Sequence, residues 1–284
     1  MSKFDVRAFE KLIIYEDQHI LVVNKPTGML SQGDSTNDAS MFSLSKQYLA
    51  HQRGKEDPAT VYLGLVHRLD RVSSGVLLLA KRTKAAARLS ENIRSRQDIQ
   101  KHYMCVVHGA VPAAAREGGE PGSAVFLEDW LIAPPGSSVK NKTRVLTASS
   151  KLAKAASGEH AVLAQLQYHS CGPVDKHPAD RPQSLLHVVP TTGRKHQIRA
   201  QLSHVNLPVV WDGKYGATAR SDKERGIALH AVCMVIPHPA PPGRTMVFSA
   251  PLPESWTKAF GERVHNAAEQ LVQKLKKQHQ QPRS

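Results

Sequence analysis

The chain has 284 residues, with 38 Lys plus Arg against 24 Asp plus Glu and a formal charge of +14. That length forms one large domain or two small ones with a sizeable core, and the basic balance makes nucleic acid the leading partner. Apolar runs such as Val76 to Ala80 fall far short of the roughly 20 residues a membrane helix needs, so no membrane span is expected. The three cysteines, Cys105, Cys171 and Cys233, stand far apart without a CxxC pair, which suits a reducing intracellular compartment. Fifteen histidines include neither HExxH nor a Cys/His finger spacing, so no metal site is expected. The first twenty residues lack a secretory apolar core and carry Asp5 and Glu10, which argues against a leader or transit peptide.

In chain order, "IIYEDQHILVVNKPTGML" reads as a strand around Ile20 to Val23, then a Pro-Gly turn with Lys25 at the strand end. A polar loop follows, and "SMFSLSKQYLAHQR" places Phe42, Lys46 and Leu49 at helical spacing. "HRLDRVSSG" then precedes the apolar strand Val76 to Ala80. In "TKAAARLSENIRSR", Thr83 is the expected N-cap, with Ala86, Leu89 and Ile93 on the face that packs against a sheet. "KHYMCVVHG" returns as a strand in which Tyr103, Cys105 and Val107 alternate with His102, Met104 and Val106.

Residues 111–158 break the pattern and read as an irregular excursion with a few short strands. Strands resume at His160 to His169 and at Ser184 to Val189, followed by a Thr-Thr-Gly turn and a helix. The stripe Ile198, Leu202 and Val205 leaves His196, Arg199 and Ser203 on a neighbouring helix face. "WDGKYG" is a tight turn, and "IALHAVCMVIPHP" and "RTMVFSAPLP" are closing strands. From Trp256 to Leu275 the apolar residues fall at helical intervals, ahead of a basic, Gln-rich tail expected to be disordered. The expected organisation is a catalytic domain over 1–253, with the 111–158 insertion, and a C-terminal helix and tail over 254–284.

The chain contains no GxxxxGK[ST], GxGxxG or GxSxG motif, so nucleotide-cofactor and serine-nucleophile chemistry lose support. Asp70 stands out instead. It lies between Arg68 and Arg71 at the mouth of an apolar strand, where positive charge favours the ionised carboxylate, a competent nucleophile.

"HRLDRVSSGVLLLAK", "KHYMCVVHG" and "TGRKHQIRAQLSH", in this order and spacing, resemble the three sequence blocks of the RluA-type pseudouridine synthase family. The resemblance extends over about residues 13–253. It implies an α+β fold on a mixed, largely antiparallel, bent sheet with helices outside and a central catalytic cleft. It also implies isomerisation of specific uridines in structured ribosomal or transfer RNA without a cofactor or metal. By this resemblance Asp70 is the nucleophile at ribose C1′, Arg199 its arginine partner, and Tyr103 the residue that stacks on uracil and serves as general base. Arg68 fills the gap left by the flipped nucleotide and contacts phosphate. Arg71, Lys25, Arg194, Lys195 and His196 are expected to bind RNA around the rim, and Leu79 and Leu229 to be core.

Two departures from the family pattern stand in the sequence. Ser73 replaces the usual threonine of the first block, keeping the hydroxyl, and Trp211 stands where glycine is common. An N-glycosidic hydrolase is the alternative chemistry, and the sequence offers no further carboxylate beside Asp70 to direct water. A catalytically idle RNA-binding or chaperone protein on the same fold is the alternative without chemistry. The chain is expected to act as a monomer.

Overall fold

The structure, a computed structural model, describes residues 5–34, 38–96, 98–111, 124–132, 142–146, 160–218, 226–240 and 244–280. Eleven strands form one sheet: β1 (Ile13–Glu16), β2 (Ile20–Lys25), β3 (Gly64–Leu65), β4 (Ser74–Ala80), β5 (Gln100–His108), β6 (Val125–Ile132), β7 (Arg144–Leu146), β8 (Ala161–Pro173), β9 (Gln183–Pro190), β10 (Leu229–Pro237) and β11 (Thr245–Ser249). The order across the sheet is β1-β2-β4-β10-β5-β9-β8-β6-β7, with β3 on β4 and β11 on β10. Among the described residues every strand pairing is antiparallel except β4 with β10, so the sheet is mixed and largely antiparallel.

The helices are α1 (Val6–Glu10), α2 (Met41–Gln52), α3 (Thr83–Ser95), α4 (Gln197–His204), α5 (Glu254–Phe260) and α6 (Arg263–Gln280). α2 begins in a capping box: Ser40 accepts from Ser43 N–H while the Ser43 hydroxyl accepts from Ser40 N–H. α3 starts one residue earlier than expected, with Arg82 at the N-cap position and Thr83 inside the first turn. Its buried face is Ala85 and Leu89, with Ala86 packed against the same cluster.

The central strands are apolar on both faces. Val76, Leu77, Leu78 and Leu79 are at most 1% exposed, and burying each contributes about 1.5–3 kcal/mol. Alternation within β5 does not survive burial, because residues from His102 to Val107 are all enclosed in this interior strand. Leu79 and Leu229 are core. In the excursion, β6 and β7 extend the sheet through β8, β6 over eight residues; 112–123, 133–141 and 147–158 lie outside the described residues.

Where one long C-terminal helix was expected, two stand. Gly261 adopts a positive φ of 91° between them, and a Cβ there would lie 2.6 Å from Asp175. Asp175 in turn accepts from Arg263 N–H at 3.0 Å. Trp256, Phe260, Val264, Ala268 and Leu275 belong to the same apolar core as the central strands. The basic segment expected to be disordered continues α6 as far as Gln280; its Lys and Gln are good helix formers and Leu275 anchors it. Among the described residues no helix is long and apolar enough to cross a membrane.

Candidate active site

The loop carrying Asp70 is tied down from both sides. Ser73 closes the turn through its N–H and hydroxyl, both donating to the Asp70 carbonyl at 3.2 and 3.1 Å. The hydroxyl that serine shares with the usual threonine is therefore the part in use. Gly75 follows with φ 115°, and a Cβ there would meet the Ala231 carbonyl oxygen at 2.2 Å. Only glycine lets β10 pass so close. That contact belongs to the parallel pairing of β4 with β10, Ser74 and Gly75 against His230 and Ala231.

The turn after β2 laces onto the same loop. Thr27 Oγ1 donates to the Val72 carbonyl at 2.9 Å, Gly28 N–H to the Arg71 carbonyl at 2.8 Å, and Ser31 Oγ both donates to and accepts from the Leu69 backbone. Lys25 sits at the centre of this lacing. Its ammonium is wholly buried and donates to the carbonyls of Pro26, Met29, Arg71 and Ser73. The expectation that Lys25 meets RNA at the rim therefore fails. Every proton it could offer is spent inside.

Burial drives Lys25 from 10.5 down to about 7, against the opposing pull of Asp70 and with Arg71 adding to the fall. The unfolded chain keeps this proton up to its ordinary value, so between pH 7 and 10 the unfolded state holds more protons and stability rises with pH. Relative to Lys25→Met, wild-type stability should rise by roughly 1 kcal/mol per pH unit over that window. Denaturant melts of both proteins at pH 7, 8.5 and 10 check this, and a constant difference would refute it.

The cation facing Asp70 comes from far along the chain. Arg199, on α4 and 4% exposed, donates Nη1 to Asp70 Oδ2 at 3.0 Å. Its other edge is held by Asp212, with Nε to Oδ2 at 2.7 Å and Nη2 to Oδ1 at 2.9 Å. Asp212 is 1% exposed, so one guanidinium joins a buried carboxylate to a partly open one. Burial alone would lower Arg199; the hydrogen bonds and charges of Asp212, then Asp70, outweigh it and hold the cation firmly protonated. The Arg199 guanidinium also lies 4.9 Å over the Tyr215 ring.

α4 is aimed by the turn before it. Gln197 is buried, and its side-chain oxygen accepts from Thr192 Oγ1 at 2.6 Å and Arg194 N–H at 3.0 Å. His196, at the N-cap position, takes a left-handed φ of 53°. Its ring turns inward, with Nε2 4.0 Å from Asp70 Oδ2 and Nδ1 3.1 Å from the Tyr215 hydroxyl. Tyr103 approaches from β5: it pairs with Ala231, which pairs with Gly75. Burial, and second the Asp70 charge, push the Tyr103 hydroxyl well above the ordinary tyrosine range.

Of the residues singled out in the sequence, Asp70, Arg199, His196 and Tyr103 converge. Arg68, Arg194 and Lys195 are exposed, with Arg194 Nε donating to the Leu163 carbonyl at 3.1 Å. Arg71 turns away, pairing with Asp38 at 2.8 Å and donating Nε to the Gly28 carbonyl at 3.0 Å. Neither arginine flanking Asp70 therefore supplies its counter-ion.

Sequence reading missed Asp212, Tyr215 and Thr143. The first two lie in "WDGKYG", read only as a turn, and their one signal was a carboxylate and a tyrosine inside so tight a segment. The Trp211 departure is resolved here. Trp211 accepts a left-handed φ of 69° and stacks on Phe260 with centroids 4.8 Å apart. The absence of a second carboxylate near Asp70, inferred from sequence, is also corrected, since Asp212 shares Arg199 with it.

The site is an aspartate paired with an arginine from a distant helix, set on a mixed, largely antiparallel sheet. The fold is shared with the solved structure titled Human RNA Pseudouridylate Synthase Domain Containing 4, at a TM-score of 0.63 and 21% identity, covering 93% of this chain and 95% of that one. The family model described as RNA pseudouridylate synthase matches residues 19–204, and the chain belongs to that family. It is 30% identical over 246 residues to the ribosomal large subunit pseudouridine synthase C of Buchnera aphidicola subsp. Schizaphis graminum, covering 84% of this chain and 67% of the relative. It is 34% identical over 221 residues to the tRNA pseudouridine synthase C of Yersinia pestis, covering 78% and 75%. The chain is thus an isomerase of the pseudouridine synthase type.

Proposed function

We propose that this protein converts specific uridines of ribosomal or transfer RNA to pseudouridine, with Asp70 as the nucleophile. The observation that carries the reading is the Asp70–Arg199–Asp212 chain, a partly exposed carboxylate oriented by a cation that a second, buried carboxylate keeps in place. Arg199 engages Oδ2, which leaves Oδ1 to form the new bond. In the first step an Asp70 oxygen bonds to ribose C1′ as the N1–C1′ bond breaks and uracil departs as an anion. After the base turns, C5 attacks C1′ and Asp70 leaves as a carboxylate. The C5 proton is then removed and N1 gains one, so atoms and charge balance without a co-reactant.

On this reading Asp70 acts first and Tyr103 last. While Asp70 is ionised, its charge helps keep Tyr103 a neutral phenol. That charge is back when the C5 proton is removed, because Asp70 has by then left C1′ as a carboxylate; Tyr103 is the group this reading assigns to that proton transfer. Arg68, Arg194 and Lys195, exposed around the cleft, supply cations for phosphate. The hydrolase alternative finds no support in Asp212, whose two oxygens are both engaged by Arg199. On this reading residues 1–253 carry the catalysis, the helices Glu254–Phe260 and Arg263–Gln280 brace the sheet, and the protein works as a monomer inside the cell.

Pseudouridine mapping by carbodiimide treatment and primer extension, on RNA from cells with and without the protein, tests the reading. A stop that depends on the protein, and that purified protein recreates on an unmodified transcript, is the expected result. Identical maps together with an inert purified protein would overturn it.

A further inference from the structure

His196 and Asp70 face each other across a gap. Nε2 lies 4.0 Å from Oδ2, with the two side chains 13% and 26% exposed. That separation is too long for a direct hydrogen bond. The surrounding network decides which ring nitrogen carries the proton. Thr143 N–H donates to the Tyr215 oxygen at 3.0 Å. The tyrosine proton then goes to His196 Nδ1 at 3.1 Å or to the Thr143 carbonyl at 3.3 Å. Only the first choice leaves the histidine proton on Nε2, directed at the carboxylate; the second aims a lone pair at an anion. The ring itself is neutral. Burial lowers it to about 4 against the pull of Asp70, and Arg199, Lys214 and Lys195 reinforce the fall.

The gap therefore has a donor on one wall and an acceptor on the other. A single atom that satisfies both must donate and accept, which is the property of a hydroxyl. An oxygen about 2.8 Å from each wall spans such a separation with an angle of roughly 90° at the hydroxyl. A carbonyl would be repelled by the carboxylate, and an amide N–H would compete with Nε2–H. Inside an RNA chain the 3′ and 5′ oxygens of a nucleotide are esterified to phosphate. Its one free hydroxyl is the 2′-OH, on the carbon next to C1′.

Resting on the reading that Asp70 attacks C1′, we propose that the gap between His196 and Asp70 is the recognition site for the 2′-hydroxyl of the target nucleotide, which donates to Asp70 Oδ2 and accepts from His196 Nε2. Such a bridge sets C1′ against the carboxylate and distinguishes RNA from DNA at the reacting residue. It gives the excursion a part in catalysis as well, because Thr143, through Tyr215, fixes the histidine tautomer.

The test is a cycle on the mapped RNA, carrying ribose or deoxyribose at the target uridine, with wild type and His196→Asn under single-turnover conditions. Asparagine tolerates the left-handed backbone at this position. Wild type should lose about 10- to 100-fold on the deoxy substrate. His196→Asn should lose a similar factor on the ribose substrate, and the two changes together should cost little more than either alone. Losses that multiply, or a wild type indifferent to the 2′-hydroxyl, would overturn the inference alone. A wild type inactive on the all-ribose RNA would overturn the functional reading and this inference with it. Tyr215→Phe, which removes the proton held at Nδ1, provides the cycle should His196→Asn melt at markedly lower temperature. It should lose part of the deoxyribose discrimination, and full retention would refute the tautomer.

Discussion

Asp70→Asn abolishes uridine isomerisation, by about four orders of magnitude or more in single-turnover rate, while leaving the fold and RNA affinity near wild type. The amide has the shape of the carboxylate and still offers Arg199 an oxygen, but it is neutral and too weak a nucleophile to form the ester. Losing the charge does not strand Arg199, because Asp212 engages the guanidinium through both oxygens at 2.7 and 2.9 Å. Stability should therefore change by no more than about 1 kcal/mol. Quantitative conversion of the mapped RNA, with filter binding at fixed salt, separates the two effects. A residual rate within tenfold of wild type would remove Asp70 from the chemistry.

Asp212→Asn should lower the single-turnover rate by about 100-fold and leave RNA affinity unchanged, although Asp212 never reaches the cleft. The reason is electrostatic. When Asp70 becomes an ester its charge disappears, and Arg199, only 4% exposed, needs another counter-ion at that moment. Asp212 supplies it. Without Asp212, Arg199 pairs with Asp70 alone, favours the ionised starting state and is left buried and unpaired in the adduct. Breaking a buried pair from one side also costs stability, about 3 kcal/mol here, read from denaturant midpoints. The rate against affinity comparison distinguishes positioning from simple loss of fold. Unchanged rate with lowered stability would make Asp212 structural only.

Much of this was legible in the residues. The unbroken apolar run Val76 to Ala80 marks a buried strand, whereas the close passage of β10 at Gly75 was not read from the residues. Asp70, Tyr103 and Arg199 were singled out from their motifs, and the structure pairs Asp70 with Arg199. Lys25 was misjudged because a lysine beside a Pro-Gly turn looks solvated, and only three-dimensional lacing shows four carbonyls facing its ammonium. The direction of Arg71 was not legible either, since adjacency in the chain says nothing about it, and its guanidinium goes to Asp38. The C-terminal helix was read through Gly261 because the apolar period continues across it, while the break is set by the Asp175 cap on Arg263.

By itself, the sequence determined the class of protein: a basic chain whose short-range patterns specify strands, turns and three motif blocks, each a local property of neighbouring residues. Tertiary structure alone decided who faces whom. Arg199 meets Asp70 across 129 positions, Asp212 arrives from a turn with no distinguishing local pattern, and Thr143 reaches His196 through Tyr215. Such pairings depend on strand order and burial, where a low-dielectric interior makes the placement of each charge and proton count for more than its place in the chain.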